Sequence, residues 1–494
     1  MPGTNAPEPR HPGVYVDGAW RDASSRDAHP VVDPFTEEAW AATPMGTEAD
    51  VDIAVRSADR ALRGAWADFD LRDRIAVVLR IQELIRKRRK DFAEAQTRSM
   101  GCLHSYGLGL AGAIELIDMY VETARNLTFA YVRSDAYGTT LITRRPIGVT
   151  GGITPWSAPL REVTKAIPAL LSGCTVVLKP APETPFGAAM FAEICTEAGA
   201  PPGVVNLVHG GGSTGEAMVR HPQVRNIAFT GSSASGARIA EVAAPRMKRL
   251  RLELGGKSAA IVLEDVDIDA LMPLLVAGAW QNAGQVRTST SRVLVPHSIY
   301  EDVVEAFAGQ AEQQVLGDPM DPSTTIGPLA TQRRRDQVLA YIESGKAEGA
   351  RLVTGGGRPD DLTVGYFVEP TVFADVDNQM TVAREEIFGP VTCFIPYATE
   401  DEAVSIANDS AYGLHGAVFG RDEDRALAIA RRFDSGTVSV NRSSGTPVSP
   451  FGGVKQSGIG RDHGPEGFDS FLEYHSYNIG PALAEKAHRE FPAG

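Results

Sequence analysis

Five residues of this 494-residue chain have types and neighbourhoods that can do chemistry: Glu253, Arg287, Lys179, Ser232 and Ser157. Glu253 stands in "LELGGKSA", just before Gly255 and Gly256, which let another group approach the backbone closely. A carboxylate there can move a proton, although a surface acid after a strand reads the same way. Lys179 closes "VVLKP", at the end of a run that reads as a buried strand. Open α/β sheets hold ligands at such ends, but a solvated strand end fits equally well. In "FTGSSASG", Phe229 to Gly236, Gly231 permits a tight turn, Ser232 offers a hydroxyl and a helix follows at once. The free N–H groups of that helix start suit a phosphate, or a simple cap. Arg287 sits in the middle of "QNAGQVRTSTSRVLV". Its guanidinium stays protonated, so it can hold a carboxylate or a developing alkoxide but cannot attack.

A formal G-x-G-x-x-G occurs at Gly210, Gly212 and Gly215 in "HGGGSTG". The next strand ends "IAFTGSS", with no acid to hold a ribose, so the loop reads as a structural turn. The four cysteines, Cys102, Cys174, Cys195 and Cys393, have no metal-ligand spacing and suggest a reducing, cytoplasmic setting. No metal site is expected.

The elements that must position these residues follow from the hydrophobic pattern. Val51 to Met100 shows apolar residues at helical spacing, with "IRKRRKDF" as a solvated helix face. From Gly148, short apolar runs such as "GVTGGITPW", "GCTVVLKP", "GVVNLVHG", "NIAFTG" and "SAAIVLED" alternate with amphipathic segments such as "PFGAAMFAEICTEAG" and "SASGARIAEVAA". That alternation predicts an α/β fold with parallel sheets covered on both faces. A second alternating region runs from Asp267 to about Asn441. The formal charge of −14 disfavours nucleic acid and anionic membranes as partners, and no run approaches the roughly 20 apolar residues of a membrane helix. The proline-rich start lacks the apolar stretch of a signal peptide and reads as a loose arm.

Taken together, the segments resemble the aldehyde dehydrogenase superfamily over nearly the whole chain. "ITPW" at Ile153–Trp156, "LKPAPETP", "FTGSSASG", "LELGGKS", "NAGQV", "GPLATQ", "EEIFGPV" and "PFGGVKQSGIGR" stand in the family's order and spacing. The resemblance implies a Rossmann-like NAD(P)-binding domain (13–129, 148–256 and 442–466) and an α/β catalytic domain (257–441). It also implies oligomerisation segments (130–147, including the hairpin "YVRSDAYGTTLITRRPIG", and 467–494), with 1–12 as a flexible arm. It further implies a homo-oligomer, dimer or tetramer, acting on a small molecule. Carried over by motif, the cofactor residues are Ile153, Trp156, Lys179, Gly231, Ser232, Gly236, Glu386 and Phe388. Lys179 and Glu386 would hold the two riboses, Ser232 the pyrophosphate, and Phe388 the nicotinamide face, with Glu253 as general base. Pro182 stands where many NAD-preferring relatives carry a glutamate, so NADP is not excluded and the lean is to NAD.

Two departures bear on function. Arg287 occupies the place of the family's nucleophilic cysteine, and Ser157 that of the asparagine that donates to the oxyanion; Ala158 replaces a bulky aromatic. Without a thiol the covalent route is lost. Hydride transfer needs no thiol when the reacting carbon arrives tetrahedral, as in an aldehyde hydrate, hemiacetal, hemiaminal or alcohol. A thiol-independent NAD(P)-dependent oxidoreductase is therefore expected, with catalytic Glu253, Arg287 and Ser157. Its substrate pocket would be polar, drawn from Ala158, Arg161, Glu162 and Thr164. Glu162 or Glu253 can pair with Arg287, and a Glu253–Arg287 pair would weaken the base. The alternative is a catalytically silent member that binds or scaffolds.

Overall fold

Short, fully buried apolar runs form the central strands of two sheets in a computed structural model, which describes residues 13–492. The expected arm, 1–12, lies outside the described residues. The first sheet has eight strands, in the order Ala19–Asp22, Gly13–Val16, Val205–Val208, Thr175–Lys179, Val149–Ile153, Val224–Thr230, Arg249–Glu253, Gly458–Ile459. The middle five are parallel, and the flanking strands pair antiparallel. In chain order those five run 3-2-1-4-5, so the winding reverses between Val149–Ile153 and Val224–Thr230. A cleft opens where the connections leave in opposite directions, beyond the carboxyl ends of the strands.

The second sheet has seven strands, in the order Arg351–Thr354, Thr371–Ala374, Val391–Tyr397, Arg292–Pro296, Ala259–Val262, His415–Phe419, Thr437–Val440. All its pairings are parallel except the first. Its core gathers residues from Ala259 to Ala430, and a separate core fills the helical side of the first sheet. A third sheet joins the hairpin Ala130–Asp135/Gly138–Pro146 to Leu472–Ile479, antiparallel throughout.

The helical stretch read as Val51 to Met100 is three helices, Glu48–Arg63, Leu71–Lys87 and Arg89–Met100. Gly64 ends the first, and Asp70 restarts the second with a reciprocal cap to Asp73. The helix Glu162–Ser172 is buried along its whole length, which requires any charge it carries to find a partner. Among the described residues, no helix is long and apolar enough to cross a membrane.

Candidate active site

A cleft of about 1210 Å³ lies at the winding reversal and faces the second sheet's connections. Trp156 and Ser157 enter it after the strand Val149–Ile153, and Gly231 to Ser235 after Val224–Thr230; Arg287, Arg334, Glu386 and Phe388 close the far side. Ser232 caps the helix Ser233–Ala243 by accepting from the Ser235 N–H, so the first turn of that helix opens into the cleft. A Cβ at Gly231 would lie 2.3 Å from the Phe229 ring and would force that ring to move. Trp156 and Phe388 meet edge to face, with centroids 5.5 Å apart. Phe388 holds φ at +59°, a strained value for a bulky side chain, and Leu160, Asn282 and His463 are left-handed as well.

Glu253 is 2% exposed and has no free oxygen. Its Oε1 accepts from Lys165 Nζ at 2.7 Å, and its Oε2 accepts from Arg287 Nη2 at 3.0 Å and from the Thr230 hydroxyl at 3.4 Å. Behind it, Asp462 forms ion pairs with Arg251, Nη1 to Oδ1 at 2.6 Å, and with Lys165 Nζ at 3.6 Å. Burial alone would raise the Glu253 pKa. Lys165, a bond with Asp462, Arg287 and Arg251 outweigh burial and hold it well below the usual carboxylate range. The expected general base is thus a fully engaged anion, a weaker proton acceptor than a free glutamate.

Arg287 is held from both ends. Its Nη1 donates to the Leu254 carbonyl at 3.1 Å, and its guanidinium lies 5.7 Å from the Phe451 ring centroid. Its loop is fixed by Gln285, which accepts the Ala330 N–H at 2.9 Å and donates to the Asn282 carbonyl. Gly256 brings the strand end against that loop, because a Cβ there would lie 2.6 Å from the Arg287 carbonyl.

Glu386 accepts the Gly256 N–H at 2.9 Å, and burial raises its pKa. Lys179 is buried, donates to the carbonyls of Pro180 and Gly210, and is pushed by burial to about 8. Neither it, Ile153 nor Gly236 lines the cleft. Gly236 serves close packing, since a Cβ would meet Leu254 Cδ2 at 2.4 Å.

Two pocket residues are placed differently from expectation. Glu162 turns inward, accepting the Thr154 hydroxyl at 2.8 Å, and does not pair with Arg287. Thr164 is buried, and its hydroxyl donates to the Arg161 carbonyl. Both sit on the first turn of a helix that is buried all round, which leaves them no open face. Arg161 and Ala158, on the turn before it, remain half-exposed.

The sequence reading missed Lys165, Arg251, Asp462, Arg334 and Glu183. Lys165 had a signal, as a lone cation in the apolar run "VTKAIPALL". Arg334 was hidden in the charge run "QRRRDQ"; it lies over Phe388 at 5.4 Å, lines the cleft and has no ion pair among the described residues.

The cysteines are free and buried. Cys102, in a small cluster with Trp156, is pushed by burial to about 12 and Cys174 to about 11, so neither is ionised near neutrality.

A doubly wound sheet with a phosphate-ready helix start at its winding reversal defines a nucleotide-binding class of α/β protein. The aldehyde dehydrogenase family model matches residues 20–477. The chain is 43% identical over 471 residues to geranial dehydrogenase of Castellaniella defragrans, covering 94% of this chain and 98% of that protein. It is 42% identical over 464 residues to 3-succinoylsemialdehyde-pyridine dehydrogenase of a Pseudomonas species, covering 93% and 96%. Among solved structures, an aldehyde dehydrogenase of Mycobacterium tuberculosis complexed with NAD+ superposes with TM-score 0.93 at 41% identity, covering 96% and 99%. A cysteine-to-alanine variant of Aldehyde Dehydrogenase C from Pseudomonas syringae, with NAD+ and octanal, gives 0.90 at 42%, covering 94% and 96%. The chain belongs to the aldehyde dehydrogenase family.

Proposed function

We propose that this protein is an NAD(P)-dependent oxidoreductase that works without a covalent thiol. Its substrate would be a polar small molecule whose reacting carbon arrives tetrahedral: a hydrate, hemiacetal, hemiaminal or alcohol. The observation that carries the reading is that Arg287, which lines the cleft, is paired at 3.0 Å with the buried Glu253 behind it, with every cysteine buried.

The cleft fits a dinucleotide on its own terms. A helix start opens into it, a Cβ at Gly231 would displace the Phe229 ring, and Arg334 brings a guanidinium that forms no ion pair among the described residues. Ser232 and the first turn of Ser233–Ala243 would bind the diphosphate, Arg334 would neutralise it, Glu386 would orient the nicotinamide ribose, and Trp156 and Phe388 would flank the ring. Lys179 at its strand end would hold the adenosine ribose. Glu183 also lines the cleft, one residue beyond Pro182, and a carboxylate there repels a 2′-phosphate and supports NAD. When bound, the nicotinamide supplies the hydride acceptor.

The chain's own residues supply orientation and charge. Arg287 keeps donors beyond the two it commits to Glu253 and Leu254, and these can hold a substrate oxygen as it turns to alkoxide. The Ser157 hydroxyl is a second donor from the opposite wall. Glu253 fixes the guanidinium and takes the substrate proton only weakly. We assign 13–129, 148–256 and 442–466 to cofactor binding and 257–441 to catalysis. The third sheet, with Tyr137 and Tyr474 exposed, would join subunits.

Isothermal titration with NAD+ and NADP+ tests the cofactor claim. Mixing with alcohols, hemiacetals and hemiaminals should produce NADH that survives iodoacetamide and falls in Arg287→Ala. The saturation of Glu253 also favours a second reading, a family member that binds nucleotide without turnover. Tight NAD+ binding with no NADH from any class would select it.

A further inference from the structure

The turn that carries Trp156 and Ser157 into the cleft belongs to no helix or strand, and the carbonyls of those two residues accept no backbone N–H among the described residues. Two side-chain amides hold them instead. Gln96 Nε2 donates to the Trp156 carbonyl at 3.2 Å, and Asn282 Nδ2 reaches the Ser157 carbonyl at 3.4 Å. The two amides come from distant parts of the chain. Gln96 is buried on the helix Arg89–Met100, and Asn282 stands on the loop that carries Arg287.

Met100 links them. It lies one helical turn after Gln96, and its Sδ meets Gln96 Nε2 at 3.3 Å and Asn282 Nδ2 at 4.0 Å. A buried amide is costly unless it is bonded, so Gln96 is bound to keep its carbonyl partner. Asn282 is left-handed at φ +52° and Ala283 follows at +54°, a conformation that asparagine tolerates and alanine adopts at a cost. The Asn282 carbonyl accepts both the backbone N–H and the side-chain amide of Gln285, which pins that backbone and turns Nδ2 toward the Ser157 carbonyl.

We infer that Gln96 and Asn282 are positioning residues: by fixing two successive peptide groups, they set where the Trp156 ring and the Ser157 hydroxyl stand relative to Arg287. This rests on the proposed reading, in which Trp156 flanks the nicotinamide and Ser157 and Arg287 share the substrate oxygen. A serine hydroxyl has a short reach, so its approach to that oxygen depends on the backbone that carries it. A shift of about 1 Å at such a group costs on the order of 10²-fold in rate.

Gln96→Leu and Asn282→Gly test this in the full chain. Glycine accepts the left-handed backbone, so the second variant deletes the amide without adding strain. Acrylamide quenching of Trp156, read as the difference from Trp156→Phe in the same background, needs no ligand. It should rise about 2-fold in each variant as the turn loosens, with the other tryptophans unchanged. Calorimetry then compares NAD+ with ADP-ribose, which lacks the nicotinamide. NAD+ should weaken about 5-fold while ADP-ribose holds, because only the nicotinamide meets Trp156. Unchanged quenching in both variants, or equal weakening of the two nucleotides, overturns the inference. If Asn282→Gly fails to fold by circular dichroism, Gln96→Leu decides. Wild type that binds neither nucleotide sinks the oxidoreductase reading alone, and the quenching still decides the inference.

Discussion

Nη2 of Arg287 lies 3.0 Å from Oε2 of Glu253, and the same guanidinium donates to the Leu254 carbonyl one residue further on. The side chain proposed to take the place of the family's cysteine is therefore turned onto the side chain proposed to act as its base. Each silences part of the other: the arginine lowers the glutamate's basicity, and the glutamate occupies half of the arginine's fork.

Replacing Arg287 by cysteine frees Glu253 Oε2 and puts a thiol on the same loop. We expect NAD+-dependent oxidation of octanal to appear and to be abolished by iodoacetamide. Stability should fall by about 2 kcal/mol, since a charged hydrogen bond to a buried carboxylate is lost. NADH formation and urea midpoints measure the two effects. An inactive variant would mean that more than the thiol is missing.

Lys165 is fully buried and lies within 4 Å of both Glu253 and Asp462. Lys165→Met leaves those carboxylates facing each other with less charge between them. Breaking a buried pair from one side costs about 3–5 kcal/mol, and a loss of that size is expected in urea unfolding. A loss below about 1 kcal/mol would show that Arg251 and Arg287 suffice.

Gly256→Ala drives a Cβ toward the Arg287 carbonyl at 2.6 Å, and a backbone oxygen held by a fixed loop cannot step aside. We expect about 1–3 kcal/mol of destabilisation and displacement of the Arg287 loop. Wild-type stability would show that the loop moves freely.

His463 is held neutral by burial, its pKa lowered from 6.5 to about 3. Below pH 6.5 the unfolded chain takes a proton that the folded chain refuses. The His463 contribution to stability therefore falls as pH drops from about 6.5 toward 3 and is constant above, while Asp462, raised to about 7 by burial, contributes the opposite slope. His415, lowered to about 4, acts in the same direction as His463. His463→Phe keeps a ring against Phe451 and should flatten the decline by about 1 kcal/mol per pH unit. Melting temperatures across that range give the slope, and parallel curves would refute the assignment.

Much of the fold was legible because it follows from local pattern. The five runs read as strands became strands, and "PFGAAMFAEICTEAG" and "SASGARIAEVAA" became helices. Buried parallel strands have to be continuous apolar runs, so their sequence reveals them without a partner in view. The glycine-rich loop after Val205–Val208 read as a poor dinucleotide fingerprint because the next strand ends without an acid to hold a ribose. In the fold it follows the last of the five parallel strands on one side, two strands from the winding reversal.

The sequence alone determined which side chains are chemically available: a permanently protonated arginine after "NAGQV", and a glutamate before two glycines. Only the tertiary structure decided what they do to each other. Lys165 comes from a buried helix, Arg251 and Glu253 from one strand, Arg287 from a loop after the second sheet's first helix, and Asp462 from the returning segment near the C-terminus. Electrostatic coupling depends on distances of a few ångströms and on exclusion of water. No spacing along the chain encodes either one for residues drawn from four separate parts of it.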